Sequence, residues 1–107
     1  MDKNFIILPG ANRTPYHYWY GWLFNNIYEK TTNVKIINFP TMENLNYKNW
    51  SKVFKSYIKA GVINKNSVVI AHSTAAIFVV RYMITHHLKV NSLFLSLWSS
   101  SYSRSYV

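Results

Sequence analysis

The chain contains no cysteine and only three acidic residues. Without cysteine there can be no disulfide, no thiolate metal site and no cysteine nucleophile. The lack of thiols also fits a reducing compartment, so we expect an intracellular, cytoplasmic protein. No grouping of other ligand types suggests a metal site, and we expect neither a metal nor an organic cofactor.

Long apolar runs are missing as well. Only a short apolar run precedes Pro9, too short for the core of a signal peptide, and His72 and Ser73 interrupt the longest later run. We therefore expect a soluble protein with no membrane association. Because 50% of the 107 residues are apolar, the chain can still bury the core of a single domain.

Positive charge dominates, since 12 lysines and arginines outweigh the three acidic residues and give a formal net charge of +9. A basic surface attracts nucleic acid through its phosphates. However, the basic residues are scattered, and four lysines fall on one side of a predicted helix whose other side is apolar: Lys48, Lys52, Lys55 and Lys59. A solvated helix face has this pattern, so we do not expect a nucleic-acid partner.

Apolar patterning predicts alternating strands and helices. Short apolar runs predict strands at residues 5–8, 34–39, 67–71 and 92–97, and helical spacing predicts helices at residues 17–30, 47–60 and 74–87, with Gly61 ending the second helix. This order predicts a three-layer α/β fold with a parallel sheet, in which the first and third strands are adjacent in the middle. Residues 1–98 form the domain, and residues 99–107 are a low-complexity tail that we expect to be unstructured.

Two expectations concern burial. The third helix is apolar nearly all round, which is typical of a helix buried against the centre of a sheet. The aromatic residues of the first helix, Trp19, Tyr20 and Trp22, are expected in the core rather than in a ligand site.

The pentapeptide Ala71-His72-Ser73-Thr74-Ala75 lies between the third strand and the third helix. A strand, a sharp turn and a helix present the nucleophile of many serine hydrolases, and small residues two positions either side let the turn close. We therefore predict that Ser73 is a nucleophile in a strained turn, supported by Ala71, His72 and Ala75. The alternative is that Ser73 only caps the helix.

A serine nucleophile needs further groups. Two backbone N–H groups would stabilise the oxyanion, one from Thr74 and one from Ala11 in the loop after the first strand. A histidine must take the serine proton, and an acid must orient that histidine. No Asp or Glu follows Ser73; of the histidines, we interpret His72 as packed in the core, His86 and His87 as stabilising a helix end, and His17 as the only weak candidate base.

Several segments together resemble the N-terminal half of the retinoblastoma-binding protein 9 family, small serine hydrolases with an α/β-hydrolase fold. The similar segments are FIILPG (5–10), HYWYGW (17–22), NW (49–50), VIAHSTAA (69–76) and RY (81–82). The resemblance implies Ser73 as nucleophile, Ala11 and Thr74 as oxyanion hole, and a small-molecule ester or amide substrate.

The chain also departs from that family. Ala71 stands where the family usually has Gly, and the loop after Gly10 is not glycine-rich. Family members continue for about as long again, and the added strands carry the catalytic acid and histidine, in the chain order Ser, Asp, His that this fold uses.

Two classes of function remain open. The first is a serine hydrolase of which this chain is the N-terminal half, inactive alone. The second is a non-catalytic interaction protein of hydrolase ancestry, which self-associates through an exposed sheet edge beside residues 92–97. Phe94, Leu95, Leu97 and Trp98 would make that edge apolar.

Overall fold

A computed structural model describes residues 3–9, 20–37, 46–96 and 105–106. The elements within these ranges are β1 (Asn4–Leu8), α1 (Tyr20–Tyr28), β2 (Val34–Ile36), α2 (Tyr47–Lys59), β3 (Ser67–His72), α3 (Thr74–His86), β4 (Ser92–Ser96) and β5 (Ser105–Tyr106). In this part of the chain, no helix has the length and apolar character needed to cross a membrane.

The strands form one sheet in the order β2-β1-β3-β4-β5. Strands β1 to β4 are all parallel, and Ala71 of β3 is paired with Leu8 of β1 on one side and with Leu95 of β4 on the other. The prediction of an α/β fold with β1 and β3 adjacent in the middle of a parallel sheet is therefore confirmed. The carboxyl ends of the central strands lie together, at the end where such folds bind ligands.

The core lies between the sheet and the two longer helices. Strand β3 is buried along most of its length, as expected for a central parallel strand. Helix α2 contributes Trp50 and Phe54, and Phe54 packs edge-on against two rings of α3, those of Phe78 at 5.5 Å and Tyr82 at 4.9 Å between centroids. This aromatic cluster holds α2 beside α3.

Helix α2 matches its sequence pattern closely. Asn46 caps its first turn, since the Asn46 side chain accepts a hydrogen bond from the Asn49 amide at 2.8 Å. Gly61 follows the end of the helix with φ +79°, a conformation that favours glycine, so the predicted helix stop is confirmed. The four lysines of the predicted polar face are all exposed.

Some boundaries differ from prediction. Strand β2 ends at Ile36, and the adjacent Ile37 is fully buried and donates its amide to the carbonyl of Ile7 at 3.0 Å. The remaining predicted residues of this strand, 38–39, and the predicted start of α1, residues 17–19, lie outside the described residues.

The burial expectations were partly wrong. Trp22 is 66% exposed, because α1 turns Leu23 and Ile27, four residues apart on one face, toward the protein. Helix α3 is also not buried all round: Ile77 is 68% exposed and Ile84 is 70% exposed. The sheet and α2 together cover only one side of α3.

The tail, which we expected to be unstructured, contains a short strand. Ser105–Tyr106 forms β5 and pairs antiparallel with β4, Leu95 opposite Tyr106 and Ser96 opposite Ser105. The end of β4 is therefore covered by the chain itself, which shortens the free edge that we expected there. Leu97 and Trp98 lie outside the described residues.

Candidate active site

Ser73 connects the end of β3 to the start of α3 with φ 55° and ψ −122°. These angles fall outside the regions that an L-residue occupies without strain. A residue held in such a region costs about 1–3 kcal/mol, and it persists only where the surrounding structure enforces it. The prediction that Ser73 lies in a strained turn between strand and helix is confirmed.

The surrounding backbone enforces the turn. The Ser73 amide donates to the carbonyl of Ser96 at 2.6 Å, which extends the pairing of β3 with β4 by one residue. On the helix side, the Ser73 carbonyl accepts from the Ala76 amide at 3.0 Å and begins the ladder of α3. Ser73 is therefore tied to the sheet through its N–H and to the helix through its C=O.

Small side chains pack closely around the turn. Ala71 and Ala75 are both fully buried, so neither position has room for a larger side chain. His72 is only 2% exposed, and its Nδ1 lies 3.1 Å from the hydroxyl oxygen of Ser96. The interpretation of His72 as a buried, hydrogen-bonded residue is confirmed, and Ser96 contacts the turn through both its carbonyl and its hydroxyl.

The capping alternative for Ser73 can be examined directly. Ser73 occupies the N-cap position of α3, but its side chain makes no capping hydrogen bond. The N-cap of α2 differs, because there the Asn46 side chain does make that bond. The hydroxyl of Ser73 is thus not used to cap α3, and the residue is only partly buried.

Thr74 is the first residue of α3 and is partly buried. The N-terminal end of a helix carries a partial positive charge, so an oxyanion beside Thr74 would be stabilised by the helix as well as by an amide. Ala11, the other predicted donor, lies outside the described residues.

The histidines of α3 lie far from Ser73. His86 stacks on the ring of Tyr82 at 4.1 Å, its Nδ1 3.2 Å from the Tyr82 carbonyl, and His87 follows at the C-cap. Because a helix rises about 1.5 Å per residue, this end is roughly 20 Å from Ser73. The predicted base candidate His17 lies outside the described residues.

Other titratable groups offer no substitute base within the described ranges. Glu29 is the only carboxylate there, and it follows α1 rather than β3. Burial, and secondarily the nearby Tyr47, raises the pKa of Tyr82 above its usual value of 10.0, so Tyr82 keeps its proton at neutral pH. In the same ranges, no group of three or more potential ligands could hold a metal ion.

A cavity of about 220 Å³ opens beside the turn, between the first turns of α2 and the first two turns of α3. Its lining residues are Asn46, Tyr47, Trp50, Thr74, Ile77, Phe78 and Arg81. The Arg81 guanidinium lies over the Tyr47 ring at 3.9 Å from its centroid. Sequence reasoning missed this cavity, since the pattern predicted only an apolar side for the helix at residues 47–60.

Comparison with known proteins supports the fold. No protein-family model and no curated protein sequence matches the chain. The crystal structure of the ydeN gene product from B. subtilis is similar, with a TM-score of 0.73 and 20% sequence identity, over 87% of this chain and 50% of that one. That protein has an α/β-hydrolase-type fold, so the fold of this chain is hydrolase-like. The chain spans about half the length of the structure that it matches.

Proposed function

We propose that this chain is the nucleophile-bearing part of a serine hydrolase that acts on ester or amide bonds, with Ser73 as the nucleophile. The strained backbone of Ser73 between a central strand and a helix is the observation that carries the proposal. Strain of this kind concentrates at functional sites, and a structural N-cap has no need of it. The segments similar to the retinoblastoma-binding protein 9 family support the same assignment.

The proposed chemistry begins at the Ser73 hydroxyl. Its Oγ attacks the carbonyl carbon of the substrate, its proton passes to a base, and the carbonyl oxygen becomes an oxyanion. The Thr74 amide stabilises this oxyanion, together with a second donor that we assign to Ala11. Collapse of the intermediate expels the alcohol or amine, which takes the proton, and water then releases the acyl group.

The missing requirement is the base. Among the described residues, no histidine is hydrogen-bonded to the Ser73 hydroxyl, and the histidines at the end of α3 are too distant. The similar structure is about twice as long, which leaves room for an acid and a histidine on a further polypeptide segment. We propose that the 107-residue chain by itself turns over little or no substrate.

A fluorophosphonate probe, an activated ester and added imidazole test this proposal. We expect no ester turnover and slow labelling that mass spectrometry maps to Ser73, because no base lies beside the hydroxyl among the described residues. Free imidazole should accelerate the labelling by supplying a base. Ser73→Ala should abolish it, and Ser56→Ala on the exposed face of α2 should not change it.

Two results would contradict different parts of the proposal. Labelling spread over several serines and unaffected by Ser73→Ala would show that Ser73 is not an activated nucleophile. Rapid labelling and ester turnover without imidazole, both lost in Ser73→Ala, would show that the chain already contains a working base.

A non-catalytic interaction protein is the second candidate. Three large apolar residues are exposed in the α3 and β4 region: Ile77 (68%), Ile84 (70%) and Phe94 (38%). Because β5 covers only the end of β4, residues Ser92 to Phe94 of that strand keep a free edge within the described structure. Such an edge can pair with another chain.

Sedimentation equilibrium of the purified chain tests the interaction candidate. If it is correct, the chain forms dimers that weaken when Phe94 is replaced by lysine, because a charge on an edge strand opposes pairing. A monomer at all accessible concentrations would rule out self-association through this edge. Lys89→Glu, at an exposed position before β4, serves as a charge-changing control.

A further inference from the structure

We propose that the cavity beside Ser73 binds a planar apolar group with a negatively charged end, as in an arylalkyl carboxylate. This assigns a substrate class to the same site, and as a substrate pocket it rests on the proposed function. As a binding site it stands on the geometry of the cavity itself.

The size and walls of the cavity fit an aromatic ring. An apolar cavity of about 150 Å³ accommodates benzene, and this cavity of about 220 Å³ leaves space for a short substituent. Trp50 and Phe78 are both buried and line the cavity, with their ring centroids 5.6 Å apart in an edge-to-face arrangement. A third ring in the cavity would contact these aromatic faces and edges at favourable geometry.

Two of the polar side chains that line the cavity, those of Arg81 and Tyr47, are in contact. Arg81 lines the cavity from the end of the second turn of α3, and its guanidinium lies over the Tyr47 ring. The hydroxyl of Tyr47 is buried and has no hydrogen-bond partner among the described residues. A buried hydroxyl without a partner is costly, so a ligand that accepts a hydrogen bond from it gains affinity.

The positive charge of Arg81 favours a ligand with a negatively charged end. Arg81 forms no ion pair in the described part of the chain, where the only carboxylate belongs to Glu29 after α1. Stacking on Tyr47 restrains the guanidinium, whose N–H groups can bind both oxygens of a carboxylate. An anionic end next to Arg81 and the Tyr47 hydroxyl is therefore favoured over a neutral or cationic one.

The position of the cavity connects it to the candidate nucleophile. Thr74, the residue after Ser73, forms part of its wall. A substrate with its aromatic group in this cavity would therefore have its ester or amide bond near the strained turn. The substrate class that follows is an ester or amide whose acyl or leaving group carries both an aromatic ring and a carboxylate.

Isothermal titration calorimetry on the 107-residue chain with 3-phenylpropionate tests the binding site. Two comparison ligands separate the contributions: 3-phenylpropanamide lacks the charge, and propionate lacks the ring. We expect 3-phenylpropionate to bind most tightly and added salt to weaken it. Arg81→Gln should reduce its affinity about fivefold and leave 3-phenylpropanamide unchanged.

Control variants make the result specific. Lys52→Gln removes an exposed charge of α2 outside the cavity lining and should not change the affinity. Ile77→Trp, at a position that is 68% exposed, should partly fill the cavity and weaken both phenyl ligands.

The outcomes separate this inference from the proposed function. Equal affinity for 3-phenylpropionate and 3-phenylpropanamide would overturn the proposal that the ligand is anionic. Equal losses of affinity for 3-phenylpropionate in Arg81→Gln and Lys52→Gln would overturn it as well. No binding of either phenyl ligand would overturn the cavity as an aromatic site, whatever the probe labelling shows. Binding as expected, without probe labelling of Ser73, would support the proposed binding site and contradict the assignment of Ser73 as a nucleophile.

Discussion

The two ends of α3 are marked by non-glycine residues with positive φ, and the two residues differ in ψ. At the C-cap, His87 has φ 52° and ψ 37°, the left-handed conformation in which many helices end. At the N-cap, Ser73 has φ 55° and ψ −122°, which is no ordinary cap geometry. The same sign of φ therefore has two different causes in one helix.

The difference lies in what each conformation provides. The left-handed conformation of His87 lets the next amide, that of Leu88, donate to the carbonyl of Met83 at 3.1 Å, so the conformation satisfies the helix end. The conformation of Ser73 gives its own hydroxyl no capping bond. The strain at Ser73 therefore does not serve a side-chain cap of the helix, which agrees with the proposed role of Ser73 as a nucleophile.

The largest change in the free energy of unfolding should come from a substitution that crowds the turn at Ser73. Ala75→Leu places extra atoms at a fully buried position, and we expect it to lower the free energy of unfolding by about 3 kcal/mol. Urea unfolding followed by circular dichroism measures the change. Ala60→Leu, at the exposed C-cap of α2, is the matched control and should change stability by less than about 0.5 kcal/mol. Equal effects of the two substitutions would show that the turn is not closely packed.

Glycine substitutions compare the strain at the two ends directly. The angles of Ser73 are the mirror image of an ordinary extended conformation, which glycine adopts freely, so Ser73→Gly should stabilise the chain by about 1 kcal/mol. His87→Gly should stabilise it by about 0.5 kcal/mol, because the left-handed conformation of His87 is less strained than the conformation of Ser73. Both changes are read from urea unfolding. A destabilising Ser73→Gly would show that Ser73 is not strained.

The smallest effect should come from removing the Ser73 hydroxyl alone. Ser73→Ala keeps the backbone conformation and removes a group that makes no capping bond, so stability should change by less than about 0.5 kcal/mol. Asn46→Ala at the N-cap of α2 removes a real capping bond and should cost about 1 kcal/mol. If both substitutions cost the same, the Ser73 hydroxyl is a structural cap after all.

Local patterns predicted the elements well. The apolar spacing and the position of Gly61 predicted α2 to within a residue, because a helix that packs on one face repeats its apolar residues at helical spacing. The small residues Ala71 and Ala75 predicted the turn at Ser73, because a tight turn excludes large side chains there. Patterns of this kind are short-range and can be recognised in the sequence.

Features that depend on distant residues were missed or wrong. The bond from His72 to Ser96 joins residues 24 positions apart in sequence, and it exists only because β3 pairs with β4 in that register. The apolar composition of α3 did not reveal that Ile77 and Ile84 are exposed, since exposure depends on which neighbours cover the helix. A polar tail likewise gave no sign that Ser105 would pair with Ser96.

The sequence by itself determined the order of strands and helices as far as β4 and the place of the turn at Ser73, because hydrophobic spacing and small residues act over a few neighbouring positions. Only the tertiary structure decided that the Ser73 backbone is held by Ser96 and that Tyr47 and Arg81 meet beside Thr74. Those contacts join separate elements, and their geometry follows from strand register and helix packing, which no local pattern encodes.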